Sequence, residues 1–294
     1  MFHSLPQFKY YKPQTLDEAL RLLNELDDAK VMAGGTDLLI DMRIGRLRPK
    51  NIIDINDLNE LRHIVDEGKY IHIGALTRLQ ELIDSEIVRE KLPILYEAIY
   101  HMASWQIRNR GTIGGNLCNA SPAADTAPPL MVLEAKLRAI SIKGERTIDI
   151  RDFFIGPRKT LLNKNELLKE IIVPVYKGYG YSYMKLGRRN SFTLSIVSVA
   201  SLVKIEDNVF SDVRIALNSI APTPIRAFSV EKYLVGRKVT IDNVKAASKL
   251  VVKDISPITD IRATAEYRRD MAIILTFDAL GIALKRLGID FVKR

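Results

Sequence analysis

The chain has 294 residues, 47% of them hydrophobic and 27% charged, the composition of a globular protein with room for one large domain or two ordinary ones. A single cysteine, Cys118, excludes an intrachain disulfide, a cysteine-based zinc site and an iron–sulfur cluster held by this chain alone. The formal charge of +9 is spread along the sequence without a zinc finger, RNP motif or basic tail, so it favours a solubilising surface or an acidic partner over nucleic acid.

No apolar run approaches the roughly 18 residues of a membrane span, and Met1-Phe2-His3-Ser4-Leu5-Pro6 lacks the pattern of a signal peptide. A cytoplasmic location is the resulting expectation. His3, His63, His72 and His101 are scattered, with no i, i+4 metal pair among them.

In chain order, Thr15-Leu16-Asp17-Glu18 fits a capping box, and Leu16, Ala19, Leu20 and Leu23 then share a helix face. A buried strand is expected at Lys30–Ala33, running into Gly34-Gly35-Thr36, with a helix resuming from Asp37 to Ile44. Strands follow at Asn51–Ile55 and Tyr70–Ala75. Thr77-Arg78-Leu79-Gln80 reads as a second capping box, and Ile87–Ala103 as a helix interrupted by Pro93. Trp105–Pro122 reads as a long polar, glycine-rich loop, and Ala123–Leu133 as a short helix broken by Pro128-Pro129. Strands near Lys136–Ile142 and Leu168–Val173 lead to the expected domain boundary at Pro174–Gly180. Beyond it, strands at Tyr181–Leu186, Ser195–Ile205 and Val209–Ser219 precede helices at Arg226–Leu234, Asp242–Val252 and Thr264–Leu287. Strands followed by helices, without strict alternation, predict an α+β class.

Two segments carry chemistry. Val31-Met32-Ala33-Gly34-Gly35-Thr36-Asp37 places adjacent glycines between a strand and a helix, where backbone N–H groups can approach an anion unobstructed. Gln106-Ile107-Arg108-Asn109-Arg110-Gly111-Thr112-Ile113-Gly114-Gly115-Asn116 again interleaves glycines with donors. The first is equally the pattern of an ordinary turn, the second of a solvated loop. Neither is GxGxxG, and no GxxxxGK[ST] occurs, which disfavours a Rossmann dehydrogenase and a P-loop NTPase. The residues by themselves reach a dinucleotide held between two glycine loops.

With Phe8–Pro13, Ser121-Pro122-Ala123-Ala124-Asp125, Phe153-Phe154-Ile155-Gly156, Lys159-Thr160 and Ala265-Glu266-Tyr267-Arg268 in order along the chain, these loops resemble the flavoprotein (medium) subunit of the xanthine dehydrogenase and carbon monoxide dehydrogenase family. The resemblance implies a two-subdomain FAD-binding domain of the vanillyl-alcohol-oxidase (PCMH) type at 1–176, with subdomains 1–57 and 58–176. A smaller α+β domain of antiparallel sheet and helices follows at 177–294. It implies FAD held by Lys30, Val31, Met32, Ala33, Gly34, Gly35, Thr36, Asp37 and Leu38, with Gly111, Thr112, Gly115 and Asn116 as a second wall and Met102, Ala103 and Gly114 as further cofactor-binding residues. Asp125 would hydrogen-bond the cofactor, Leu168 (or Leu167) would pack on it, and Lys185 would lie near the flavin, against the reading of Lys185 as a solvated surface lysine.

The resemblance further implies electron transfer within a molybdenum hydroxylase. A small subunit with [2Fe–2S] clusters and a large molybdopterin subunit would be the partners, arranged as a dimer of heterotrimers. Trp105 departs from the proline of many relatives, and no cysteine-rich insertion like that of 4-hydroxybenzoyl-CoA reductase is present, which leaves Cys118 as an expected packed thiol. A stand-alone FAD oxidase of the same fold superfamily and a non-enzymatic basic binding protein are the alternatives.

Overall fold

Thr15 opens the first helix as its sequence predicts. Its side-chain oxygen accepts the Glu18 amide, and Leu16, Ala19, Leu20 and Leu23 form the buried face of α1 (Leu16–Glu25). The computed structural model describes residues 4–189 and 192–290, so His3 lies outside the described residues. A parallel sheet of order β1-β3-β2 carries the N-terminal unit, with β1 (Lys9–Tyr11), β2 (Ala29–Met32) and a fully buried central β3 (Asn51–Asp54). Burial on both faces is what a central parallel strand requires, and Ile52 and Ile53 supply it. The glycine turn after β2 leads into α2 (Leu38–Arg43).

The second unit is an antiparallel sheet of order β4-β5-β10-β6-β7, formed by β4 (Ile64–Asp66), β5 (Tyr70–Gly74), β6 (Lys136–Ser141), β7 (Gly144–Asp149) and β10 (Leu167–Pro174). A short ribbon, β8 (Phe154–Gly156) and β9 (Lys159–Thr160), precedes β10. Ile71, Ile73, Leu137, Ile171 and Val173 of the sheet share one core with helices α3 (Leu79–Asp84), α4 (Glu86–Lys91) and α5 (Pro93–Tyr100). Pro93 separates α4 from α5 by starting the latter, where its missing N–H has no partner to lose.

Three local expectations are corrected here. The expected capping box at Thr77 is displaced by one residue: Arg78 is the N-cap, its amide donates to Glu81, and Thr77 instead bonds the His63 carbonyl. The expected loop Trp105–Pro122 holds two short helices, α6 (Trp105–Arg108) and α7 (Ile113–Asn119), because Ser104 and Thr112 cap them and Ile113 and Leu117 bury their side chains. Pro128-Pro129 do not break a helix; they lie in the first turn of α8 (Ala127–Val132).

The third unit is a consecutive antiparallel sheet of β11 (Gly180–Gly187), β12 (Ser195–Glu206), β13 (Val209–Asn218) and β14 (Ile225–Arg226). After the ribbon helix α9 (Ile150–Phe153), the remaining helices are α10 (Phe228–Leu234), α11 (Ile241–Lys249) and α12 (Ala265–Arg286), the last capped by Thr264. The pleat divides β12 between two cores. Val197, Val199 and Val203 join the helices of this unit, while Ala200 and Leu202 join the core of the second unit. Gly180 lets β11 press on α12, since a Cβ there would stand 2.0 Å from the Ala283 carbonyl oxygen. Arg268 explains the closing motif structurally: it is 1% exposed and donates to the carbonyls of Ile196 and Ser219 at 2.6 and 2.9 Å, with Asp260 neutralising it. No helix of the described residues is long and apolar enough to cross a membrane.

Candidate functional site

The two glycine loops meet. Gly34 lies so close to the second loop that a Cβ would stand 2.0 Å from the Arg110 carbonyl oxygen, leaving no space for any side chain. Between and beside them runs a cleft of about 370 Å³. Its walls include every residue from Lys30 to Leu38, together with Met102, Gly111, Thr112, Gly114, Gly115, Asn116 and both Leu167 and Leu168.

The loops differ in their backbone accounting. In the second, Gly111 N–H donates to Ile107 at 2.7 Å, Gly114 N–H to Ala75 at 2.9 Å, and Gly115 N–H to the Thr112 hydroxyl at 3.0 Å. These glycines therefore permit close packing: a Cβ on Gly114 would meet Ala75 at 2.6 Å. In the first loop, no protein acceptor among the described residues takes the amides of Gly34, Gly35 or Thr36. Gly35 has φ +73°, the left-handed conformation that glycine adopts without a steric penalty. Asn56 steadies the preceding carbonyl, donating to Ala33 at 2.5 Å and to Asp54 at 2.7 Å. Consecutive unpartnered N–H groups in a concave wall fit an anionic ligand group, because partly buried amides are otherwise paired. Apolar Val31, Met32, Met102, Leu162 and Leu168 give the same cleft a surface suited to flat aromatic rings.

Ala103, Asp125 and Lys185 are not among the residues lining the cleft. Ala103 adopts φ +52° beside Met102. Asp125 and Lys185 form a buried ion pair, Nζ to Oδ2 2.7 Å, each side chain 6% exposed. The Tyr183 hydroxyl donates to the other Asp125 oxygen at 2.9 Å, and Lys185 also lies 3.3 Å from the His101 carbonyl, one residue before Met102. Burial pushes the Asp125 carboxyl up from its ordinary value, with Lys185 acting against it. Lys185 is thus no solvated lysine, and both oxygens of Asp125 are already engaged.

Cys118 corrects another expectation. It is not packed away: it is exposed along the cleft wall. Asp41, Arg46 and Arg158 also line the cleft, yet nothing in the sequence singles them out. Asp41 accepts from both arginines, and it is separated from Arg158 by 117 positions, a proximity that no local pattern signals.

Residues 6–176 match the model for the FAD binding domain in molybdopterin dehydrogenase, and residues 181–283 that for the CO dehydrogenase flavoprotein C-terminal domain. The chain belongs to the family of FAD-binding medium subunits of molybdopterin dehydrogenases. It is 37% identical to the glyceraldehyde dehydrogenase medium chain of Sulfolobus acidocaldarius, covering 93% of this chain and 97% of that one. It is 33% identical to the xanthine dehydrogenase FAD-binding subunit of Escherichia coli O157:H7, covering 95% and 97%. The solved carbon monoxide dehydrogenase of Hydrogenophaga pseudoflava, 38% identical, superposes with a TM-score of 0.94 over 96% of this chain and 99% of that one.

Proposed function

We propose that this chain holds one non-covalent FAD in the cleft between its glycine loops and works as the electron-transferring medium subunit of a molybdenum hydroxylase. The observation that carries the site assignment is the run of unpartnered amides at Gly34, Gly35 and Thr36, opposite a second loop whose glycine amides are satisfied. In this reading the first loop takes the pyrophosphate, and the tight contacts of Gly34 and Gly114 keep the walls together. Thr36 and Asn116 offer further polar contacts, and Leu168 packs on the cofactor. Bound FAD supplies two-electron redox chemistry with access to single-electron steps. The protein's part is to orient the ring, exclude water and set the local charge. Lys185 with Asp125 supports the wall at His101 and Met102 and presents a nearly neutral pair instead of a lone cation.

The chain carries no cysteine set for a cluster, and no metal-ligating group of His, Cys, Asp and Glu occurs among the described residues. In this family reading electrons arrive from a small [2Fe–2S] subunit, which a large molybdopterin subunit reduces, and leave to an external acceptor. A dimer of heterotrimers in the cytoplasm is the assembly this reading favours. The test is purification of the full chain. The expected product is yellow, with one FAD and no stoichiometric iron per chain, and it oxidises no aldehyde, purine or CO until both partner subunits are added. Substrate oxidation by the pure chain with FAD alone would transfer the case to a stand-alone oxidase, and a colourless chain that ignores added FAD would sink both readings.

A further inference from the structure

Arg158 occupies the turn between β8 and β9 with φ +58°, a left-handed conformation that costs a non-glycine residue free energy and persists where surroundings enforce it. Its amide donates to the Ala120 carbonyl at 2.8 Å. Its guanidinium bonds the Asp41 carboxylate and stands 3.3 Å from Asn119 Oδ1. Asp41 belongs to α2, the helix entered from Gly34-Gly35-Thr36; Asn119 and Ala120 close α7, the helix that carries Gly114 and Gly115. One side chain therefore ties together the two helices that continue from the walls of the cleft. Asp41 is only 4% exposed, so its charge is balanced within the protein, by Arg158 and by Arg46. Arg46 lies just beyond α2 in the same unit and does not cross the cleft.

We propose that Arg158 and Asp41 form a brace that sets the spacing of the cleft walls and so governs how tightly FAD is retained. The inference rests on the reading of this cleft as the FAD site. Arg158 acts here as a positioning residue, through α2 and α7, and not by contact with the reacting atoms. A simpler electrostatic role makes a different prediction. If Arg158 served only as a positive charge near a pyrophosphate, neutralising Asp41 would raise the local positive potential and tighten FAD. Loss of a brace loosens FAD whichever end is removed.

The experiment is a titration of the full apo chain with FAD, followed by flavin fluorescence, for Asp41→Asn, Arg158→Met, Arg158→Lys and the double variant Asp41→Asn/Arg158→Met. Arg286→Met serves as control, because it breaks the ion pair to Glu97 that joins α12 to α5 and touches no cleft residue. The brace predicts that each neutralising variant raises the FAD dissociation constant about tenfold, that the double variant is no worse than its worse parent, and that Arg158→Lys recovers part of the loss. Arg286→Met should leave the constant unchanged. Tighter binding in Asp41→Asn, losses that multiply to about a hundredfold in the double variant, or unchanged binding in Arg158→Met would each overturn the brace. Failure of the unaltered chain to bind FAD would instead overturn the site reading beneath it.

Discussion

Lys185 shows how far a residue's meaning depends on its partner. A charged strand residue beside Arg188 and Arg189 reads as a solvated face from sequence, but here its ammonium lies against Asp125 with 6% of either side chain exposed. Lys185→Met would leave a buried carboxylate without its cation. Breaking a buried pair in this way typically costs about 3–5 kcal/mol, so the variant should unfold at lower denaturant than the parent. Replacing both partners, Lys185→Met with Asp125→Asn, should recover much of that loss, and an unfolding midpoint no better than the single variant would contradict the pairing. Charge gives a second readout. Asp125→Asn alone leaves Lys185 uncompensated, which should favour the anionic reduced flavin and raise the midpoint potential in a spectroelectrochemical titration. An unmoved potential would place Lys185 outside the flavin's field.

At the scale of elements, the glycine loops act by different means, and only one was legible in sequence. The first loop keeps its amides free, as a Gly-Gly turn between a strand and a helix suggests. The second loop spends its amides on Ile107, Ala75 and Thr112, and uses its glycines for contact. Gly34→Ala should therefore pry the loops apart, with a stability cost of about 1–3 kcal/mol or more from overpacking and a clear loss of bound FAD. Gly156→Ala, whose Cβ would meet only Lys159 at 3.9 Å, is the matched control and should retain full flavin. Equal FAD content in the two purified variants would contradict this account. Helices α1 and α12 were readable because Thr15 and Thr264 cap them and their apolar spacing is regular. Helices α6 and α7 are not: α6 is a single turn held by the Ser104 cap with no buried side chain, and the glycine and polar content of α7 hides a helix whose support is a cap and two buried apolar side chains. The edge strand β7 is exposed along most of its length, so it lacks an alternating apolar signal. Asp41 and Arg158 carry no local signal in the sequence, because their meeting is purely tertiary.

For the whole molecule, the cleft is walled by residues of both the parallel and the five-stranded sheets' units, so a ligand there binds the folded chain and not the unfolded one. FAD at about a hundredfold excess over its dissociation constant should then add about 2.7 kcal/mol of stability. Thermal melts across a range of FAD concentrations should show a rising midpoint; a flat response would contradict binding across the two units. The third unit is tied into the same body through β11, which gives Tyr183 to the second core and Lys185 to Asp125. That tie bears on how such chains can be shuffled. Pro174 to Gly180 looks like a natural crossover point for recombining the front of one relative with the back of another. Asp125 lies before it and its two partners after it, so the halves are heritable only as a matched set. A hybrid that inherits the acid without the tyrosine and the lysine carries the defect of a buried point mutation, however well each half folds in its own lineage.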